Sequence, residues 1–163
     1  MAVLAQDIQL PVRGVVETQK QPLTGYTNHA GGNVEHTVYK GSILVSDVSD
    51  ADGYFRAVPL SSSTNMATGD VFGGVAIEQV KVETTDTADG AKKVTAARTG
   101  VWGFAPGSLA ITDLGADIYA SDDQTVTTTS TNNLYIGTLV ALEDSRAWVD
   151  IARAFGRVNV AVA

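Results

Sequence analysis

The chain has 163 residues, room for one domain of ordinary size and none for a second catalytic one. It contains no Cys, which excludes disulfides, thiolate nucleophiles and every Cys-based zinc or iron–sulfur site. Net charge is −7 and lies wholly between residues 47 and 123, where twelve acids face five bases, while 1–46 and 124–163 are each neutral. An acidic middle argues against a surface that tracks nucleic-acid phosphates. The start lacks the basic and apolar regions of a signal peptide, and no run approaches the roughly 18 apolar residues of a membrane span, so the expected setting is the cytoplasm or something assembled there. A charged fraction of 18%, with Thr, Ser, Gly and Ala in place of charge, suggests strands and turns.

In chain order, residues 2–17 alternate imperfectly. Val3, Ile8, Leu10, Val12 and Val16 are apolar, and Pro11 and Gly14 interrupt them. Residues 18–37 hold Pro22, Gly25, Gly31, Gly32 and two Asn, a stretch with little to bury. These features predict an N-terminal arm and flexible loop over 1–37 and a β domain over 38–163. An extended arm gains main-chain hydrogen bonds on a neighbour's sheet edge; the competing reading makes 10–17 the first strand of its own domain.

From residue 38 the strand signals are dense: 38–46, 54–58, 71–83, 94–104, 117–121, 124–128, 134–142, 146–152 and 155–162. Turn residues at intervals of about 8–12 mark a single compact β-sandwich or β-barrel-like domain, all-β in class. Leu134, Ile136, Val140 and Leu142 share one parity, as do Ala147, Val149 and Ile151, which predicts a hairpin turning at Glu143-Asp144-Ser145 with its apolar face inward. The apolar parity of 71–83 changes between Ile77 and Val80, and a bend near Glu78-Gln79 accounts for it. Asp122-Asp123 reads as a tight hairpin turn. Residues 155–162 read as a closing strand extension.

No set of residues assembles a reaction centre. His29 and His36 are the only imidazoles, without Cys or HExxH spacing, and a solvated pair is the expectation. Asp47, Asp50, Asp52 and Gly53 invite a calcium loop, but with Gly53 in sixth place Val48 and Pro59 fall where the first and twelfth ligands belong. There is no G-x-S-x-G elbow, and the Gly-rich 69–74 lacks the Lys-Ser/Thr of a phosphate loop. The adjacent pairs Asp122-Asp123 and Glu143-Asp144 are turn-like, whereas glycosidase acids stand apart on separate strands. The expectation is no enzyme, no metal and no cofactor. Trp102, Phe104 and Trp148 are read as core or interface rings, with a sugar-binding platform as the competing use.

The order of short motifs resembles the capsid cement, or decoration, proteins of tailed bacteriophages. The matching pieces are Val38-Tyr39-Lys40-Gly41-Ser42, Gly73-Gly74-Val75-Ala76, Thr99-Gly100-Val101-Trp102 and Leu114-Gly115-Ala116-Asp117-Ile118-Tyr119. Thr125-Val126-Thr127, Ile136-Gly137-Thr138 and Ala147-Trp148-Val149-Asp150-Ile151 complete the order, and the pieces span roughly two-thirds of the chain. The chain departs from the family at Gly115-Ala116-Asp117, where the family more often has Gly-Asp directly, and in the segment 152–163, beyond where many relatives stop.

The resemblance implies a β domain that trimerises on the outer surface of the expanded icosahedral shell after assembly in the host cytoplasm. Its partners are then the major capsid protein and itself, with no nucleic acid and no membrane. The candidate capsid or subunit contacts are Val3, Ile8, Leu10 and Val12 of the arm, Trp148, and the basic Arg153 and Arg157 near the end. The alternative is a carbohydrate-binding β-sandwich module using Trp102, Trp148 and the Asp/Asn loops.

Overall fold

Short alternating runs between Gly and Asp turns become thirteen strands in the computed structural model, which describes residues 4–28, 32–46, 53–58 and 69–157. They are β1 (Val12–Arg13), β2 (Thr18–Pro22), β3 (His36–Val38), β4 (Ile43–Ser46), β5 (Phe55–Ala57), β6 (Val71–Ala76) and β7 (Val80–Val82). The remainder are β8 (Lys93–Ala97), β9 (Val101–Phe104), β10 (Asp117–Ala120), β11 (Val126–Thr127), β12 (Leu134–Glu143) and β13 (Arg146–Asp150). A six-stranded sheet runs β1-β9-β13-β12-β10-β11, a five-stranded sheet β2-β8-β6-β4-β5, and β3 pairs β7 as a ribbon, all in antiparallel ladders. The protein is an all-β sandwich.

Ile43, Val45, Phe72 and Val75 from the smaller sheet meet Trp102, Phe104, Ile118, Leu134, Leu139 and Val149 from the larger, none more than 5% exposed. Each such side chain stabilises the fold by about 1.5–3 kcal/mol through the apolar area it removes from water. On the other face of the smaller sheet, Leu44, Ala76, Val94 and Ala96 pack with Leu23 and with Val38 and Val82 of the ribbon. The inner strand β4 is therefore buried on both faces, which is why Ile43-Leu44-Val45 is continuously apolar instead of alternating.

Two long runs divide between layers. Residues 71–83 bend at Glu78-Gln79 as the parity change requires, leaving β6 in the sandwich and β7 in the ribbon. Glu78 fixes the bend by accepting hydrogen bonds from the Thr95 N–H at 2.6 Å and from Lys20 Nζ at 2.9 Å. Those bonds hold its carboxyl down at about 2. Residues 94–104 break at 98–100, so that β8 lies in one sheet and β9 in the other. Gly100 makes this corner at φ +111, where a Cβ would come within 3.1 Å of Trp102 Nε1 and Val12 Cγ2.

The hairpin of β12 and β13 forms around Asp144 and Ser145, both left-handed at φ 54 and 57, a turn whose twist matches that of the strands. Val140, however, does not face inward. The register shifts between Leu139 and Ala141, so Leu139 takes the core position and Val140 is 48% exposed. The expected strand over 155–162 is also corrected. Residues 152–156 turn instead, closed by the Phe155 N–H on Ile151 O and the Arg157 N–H on Ala154 O, and 158–162 lie outside the described residues.

A boundary at residue 37 finds no counterpart in the fold. Within the span expected to be a flexible loop, β2 pairs with β8 along its whole length, from Thr18 opposite Ala97 to Pro22 opposite Lys93. The stretch is fixed by hydrogen bonds more than by apolar burial: Gln21 Nε2 donates to Gly73 O at 2.9 Å, the Gly25 N–H to Asp89 Oδ1 at 2.7 Å and the Tyr26 N–H to Asp86 O at 2.9 Å. Polar composition hid its order.

Gly100→Ala adds a methyl group to a crowded left-handed corner and is expected to cost about 1–3 kcal/mol. A melting temperature lower by roughly 3–10 °C in a calorimetric scan is the expected result.

Candidate functional site

The N-terminal segment is a strap laid over the sandwich. Its apolar residues turn inward: Leu10 is 4% exposed within the main core, Leu4 is 7% exposed, and Ile8 packs against the same cluster. Backbone bonds follow its length, the Ile8 N–H donating to Lys40 O at 3.0 Å and the Gly103 N–H to Pro11 O at 2.9 Å. The Lys40 N–H donates to Asp7 Oδ1 at 2.8 Å. The strap ends in β1, which pairs Val12 with Trp102 and Arg13 with Val101. Leu10 is thus a core residue of its own chain and not a free capsid contact, while Val12 is 38% exposed at the sheet edge.

Trp148 stands on the face of β13 away from the core, opposite Gly103 of β9. The absent side chain makes room for the indole: a Cβ at Gly103 would come 2.9 Å from Pro11 Cγ and 3.3 Å from the Trp148 ring. The Arg13 guanidinium covers the ring from 3.6 Å and also pairs with Glu143. Trp148 is left 6% exposed, with its indole N–H unpartnered, so its contacts too are made within the chain. Trp102 is 5% exposed and donates from Nε1 to Thr99 O at 3.2 Å. Neither ring presents an open stacking face.

At the far end of the strap, the Leu4 N–H donates to Asp123 Oδ1 at 2.9 Å. Ser42 Oγ donates to Asp123 Oδ2 at 3.0 Å, and the Ile43 N–H reaches the Asp123 carbonyl at 3.0 Å. Asp122-Asp123 is the expected turn between β10 and β11, with Asp122 Oδ1 accepting from the N–H groups of Gln124 and Thr125 at 3.0 and 2.6 Å. Both carboxylates are nevertheless buried, at 0% and 1% exposure. Burial outweighs the hydrogen bonds and pushes the Asp123 carboxyl up to about 6. Asx-turn chemistry was readable in the sequence; the closing of the strap over that turn was not.

A cleft of about 290 Å³ remains between strap and body, lined by Ile8, Leu10, Lys40, Ala76, Ile77 and Trp102. Elsewhere, Ile111, Leu114 and Val140 are 63%, 46% and 48% exposed. They share a neighbourhood because the Gly115 N–H bonds to Leu139 O at 2.8 Å and the Leu139 N–H to Ala116 O at 3.0 Å. Exposed Arg153 lines a shallow cleft with Val140, Thr138 and Asp150, and Arg157 is exposed beyond it. This region of exposed apolar side chains, with Arg153 and Asp150 at its margin, contains one predicted contact residue, Arg153, and three that sequence reasoning missed.

The remaining residues stay apart. His36 lies half-buried in β3, its Nδ1 3.3 Å from Val34 O, and burial lowers its pKa. Val3, His29, Asp47, Asp50 and Asp52 lie outside the described residues. Among the described residues, no three His, Asp or Glu side chains cluster as a metal site, and no helix is long and apolar enough to cross a membrane. Compared with known proteins, the chain matches no family model, no curated protein and no solved structure.

Because its folded pKa is raised, Asp123 favours the folded state most below its ordinary value of 3.8, and that contribution is lost as pH rises through about 6. His36 acts oppositely, since a lowered imidazole pKa takes stability away as pH falls below 6.5. The difference between variant and wild type isolates the carboxyl. Asp123→Asn retains an acceptor for the Leu4 N–H and a donor for Ser42, and should gain stability relative to wild type between pH 5 and pH 7 by about 1–2 kcal/mol in urea titrations. Deleting residues 2–17 removes Leu4 and Leu10 from the core and the cover from Trp148. Loss of cooperative melting, or a melting temperature lower by about 10 °C or more, is expected in circular dichroism.

Proposed function

We propose that the chain is a structural cement protein that binds the outer surface of an expanded icosahedral tailed-phage shell as a homotrimer, bridges neighbouring major capsid proteins and stabilises the shell without catalysis. The observation that carries this reading is where the resembling motifs fall. Gly41, Gly74, Gly100, Gly115 and Gly137, one from each of five motifs, all have positive φ, from +84 to +151. The resemblance therefore runs through residues that set the path of the backbone, where replacement is costly, and not through interchangeable strand filler.

The surface supports the same reading. Ile111, Leu114 and Val140 are exposed apolar side chains in one region, with Arg153 and Asp150 beside Val140, a suitable face for another protein. Docking through it depends chiefly on apolar burial, with charge contributing to orientation and rate. A sugar-binding module would need an open aromatic face, and Trp102 and Trp148 are 5% and 6% exposed.

Adding the protein to expanded shells of its own phage should raise their disruption temperature and decorate the outside with trimers visible by electron microscopy. Raising salt to several hundred millimolar should weaken attachment only modestly. Leu114→Asp combined with Val140→Asp should weaken affinity for the shell by about tenfold or more, a loss of roughly 1.4 kcal/mol or more, without changing the fold. Undecorated shells, monomeric units on the shell or complete release by salt would overturn the reading, and quenching of Trp fluorescence by glycans would favour the sugar-binding alternative.

A further inference from the structure

We propose that residues 4–13 are an exchangeable strap, and that the groove they fill also receives the same strap from a second copy of the chain. This inference rests on the geometry of the strap and not on the shell reading. The body of the protein begins at β2, which is held by its five-residue ladder with β8. The strap ends at β1, which sits at the edge of the larger sheet and is joined to β9 by only two residue pairs. A strap therefore enters or leaves sideways without opening an inner ladder.

Between strap and body the chain passes through Gly14, at φ +79, where an added Cβ would meet no atom within 4 Å. Val15 follows at 80% exposure. Just beyond, the hydroxyl of Thr99 accepts from the Glu17 N–H at 2.8 Å and donates to Val15 O at 3.0 Å. Motion is thereby confined to one unpacked glycine. With Gly14 extended, residues 4–13 swing out of their own groove as one segment roughly 33 Å long.

The groove itself selects the occupant. An empty groove would uncover the Leu10 site and the Trp148 ring, with the loss of their apolar burial. A cleft of about 290 Å³, lined by Ile8 and Leu10 of the strap and by Lys40, Ile77 and Trp102 of the body, runs along this contact. A second copy's strap restores every contact that the first one leaves: Leu10 in the core, Pro11 over Gly103 and Arg13 over Trp148. Closed and exchanged forms then differ only in hinge conformation and in the entropy of association, the condition under which identical elements swap between protomers.

The absence of Cys makes the exchange directly readable, because Arg13 and Val101 are opposed across the strap–body ladder. In the double variant Arg13→Cys, Val101→Cys, oxidation of dilute protein should give an intramolecular disulfide; its absence would show that the strap does not lie in the groove and would overturn the proposal. A size-tagged Arg13→Cys chain is then mixed with an untagged Val101→Cys chain at high concentration near the onset of melting, and oxidised. A mixed disulfide between the two chains, rising with concentration, is the expected result. Oligomers seen by light scattering without the mixed disulfide would overturn strap exchange while leaving the trimer reading in place.

Discussion

A sandwich of two sheets must cover the apolar ends and outer faces that its strands leave open, and here one N-terminal segment does so. Leu10 enters the main core, Pro11 and Arg13 cover Trp148, and Leu4 is tied to the buried Asp123 beside β4. The same ten residues thus touch the larger sheet, the turn of β10 and β11, and Lys40 ahead of β4. Without the strap the outer face of β13 would carry a bare indole opposite a glycine, an apolar groove of the kind that soluble proteins cover or use.

This covering has an electrostatic cost at Asp123. A carboxylate there accepts the Leu4 N–H and the Ser42 hydroxyl, yet burial still lifts its pKa to about 6. The neutral acid satisfies the same two neighbours, accepting from the first and donating to the second. Both protonation states are thereby accommodated, and the strap's first anchor persists across the titration instead of breaking with it.

Sequence alone showed the sheets more clearly than their boundaries. The hairpin at Asp144-Ser145, the bend at Glu78-Gln79 and the turn at Asp122-Asp123 were legible because turn chemistry is local. The polar stretch 18–37 reads as a loop because its order comes from Gln21 and Gly25 hydrogen-bonding to strands and loops far along the chain, a tertiary feature that composition does not carry. Val140 was assigned to the wrong face for a related reason. One bulge inverts the parity on which such assignments depend, and nothing in Leu139-Val140-Ala141 distinguishes a bulge from a regular strand.

The candidate surfaces divide along the same line. Arg153 stands out in the sequence for its charge, and what makes its neighbourhood a candidate surface is Val140 beside it and the exposed Leu114 and Ile111, residues whose exposure the sequence pattern does not show. Leu10 and Trp148 were named because their apolar character suggested a partner, and the partner is the rest of the same chain. The distinction between partner and self is narrow at this strap. Side chains that fit one groove of this shape fit every copy of it, so what keeps the contact within a chain is the short link through Gly14 and the high effective concentration it imposes. Wherever many copies are held close together, as in the proposed cement layer, crowding acts directly against that advantage. In that setting the link at Gly14, rather than the groove, decides whether the strap serves its own domain or a neighbour's.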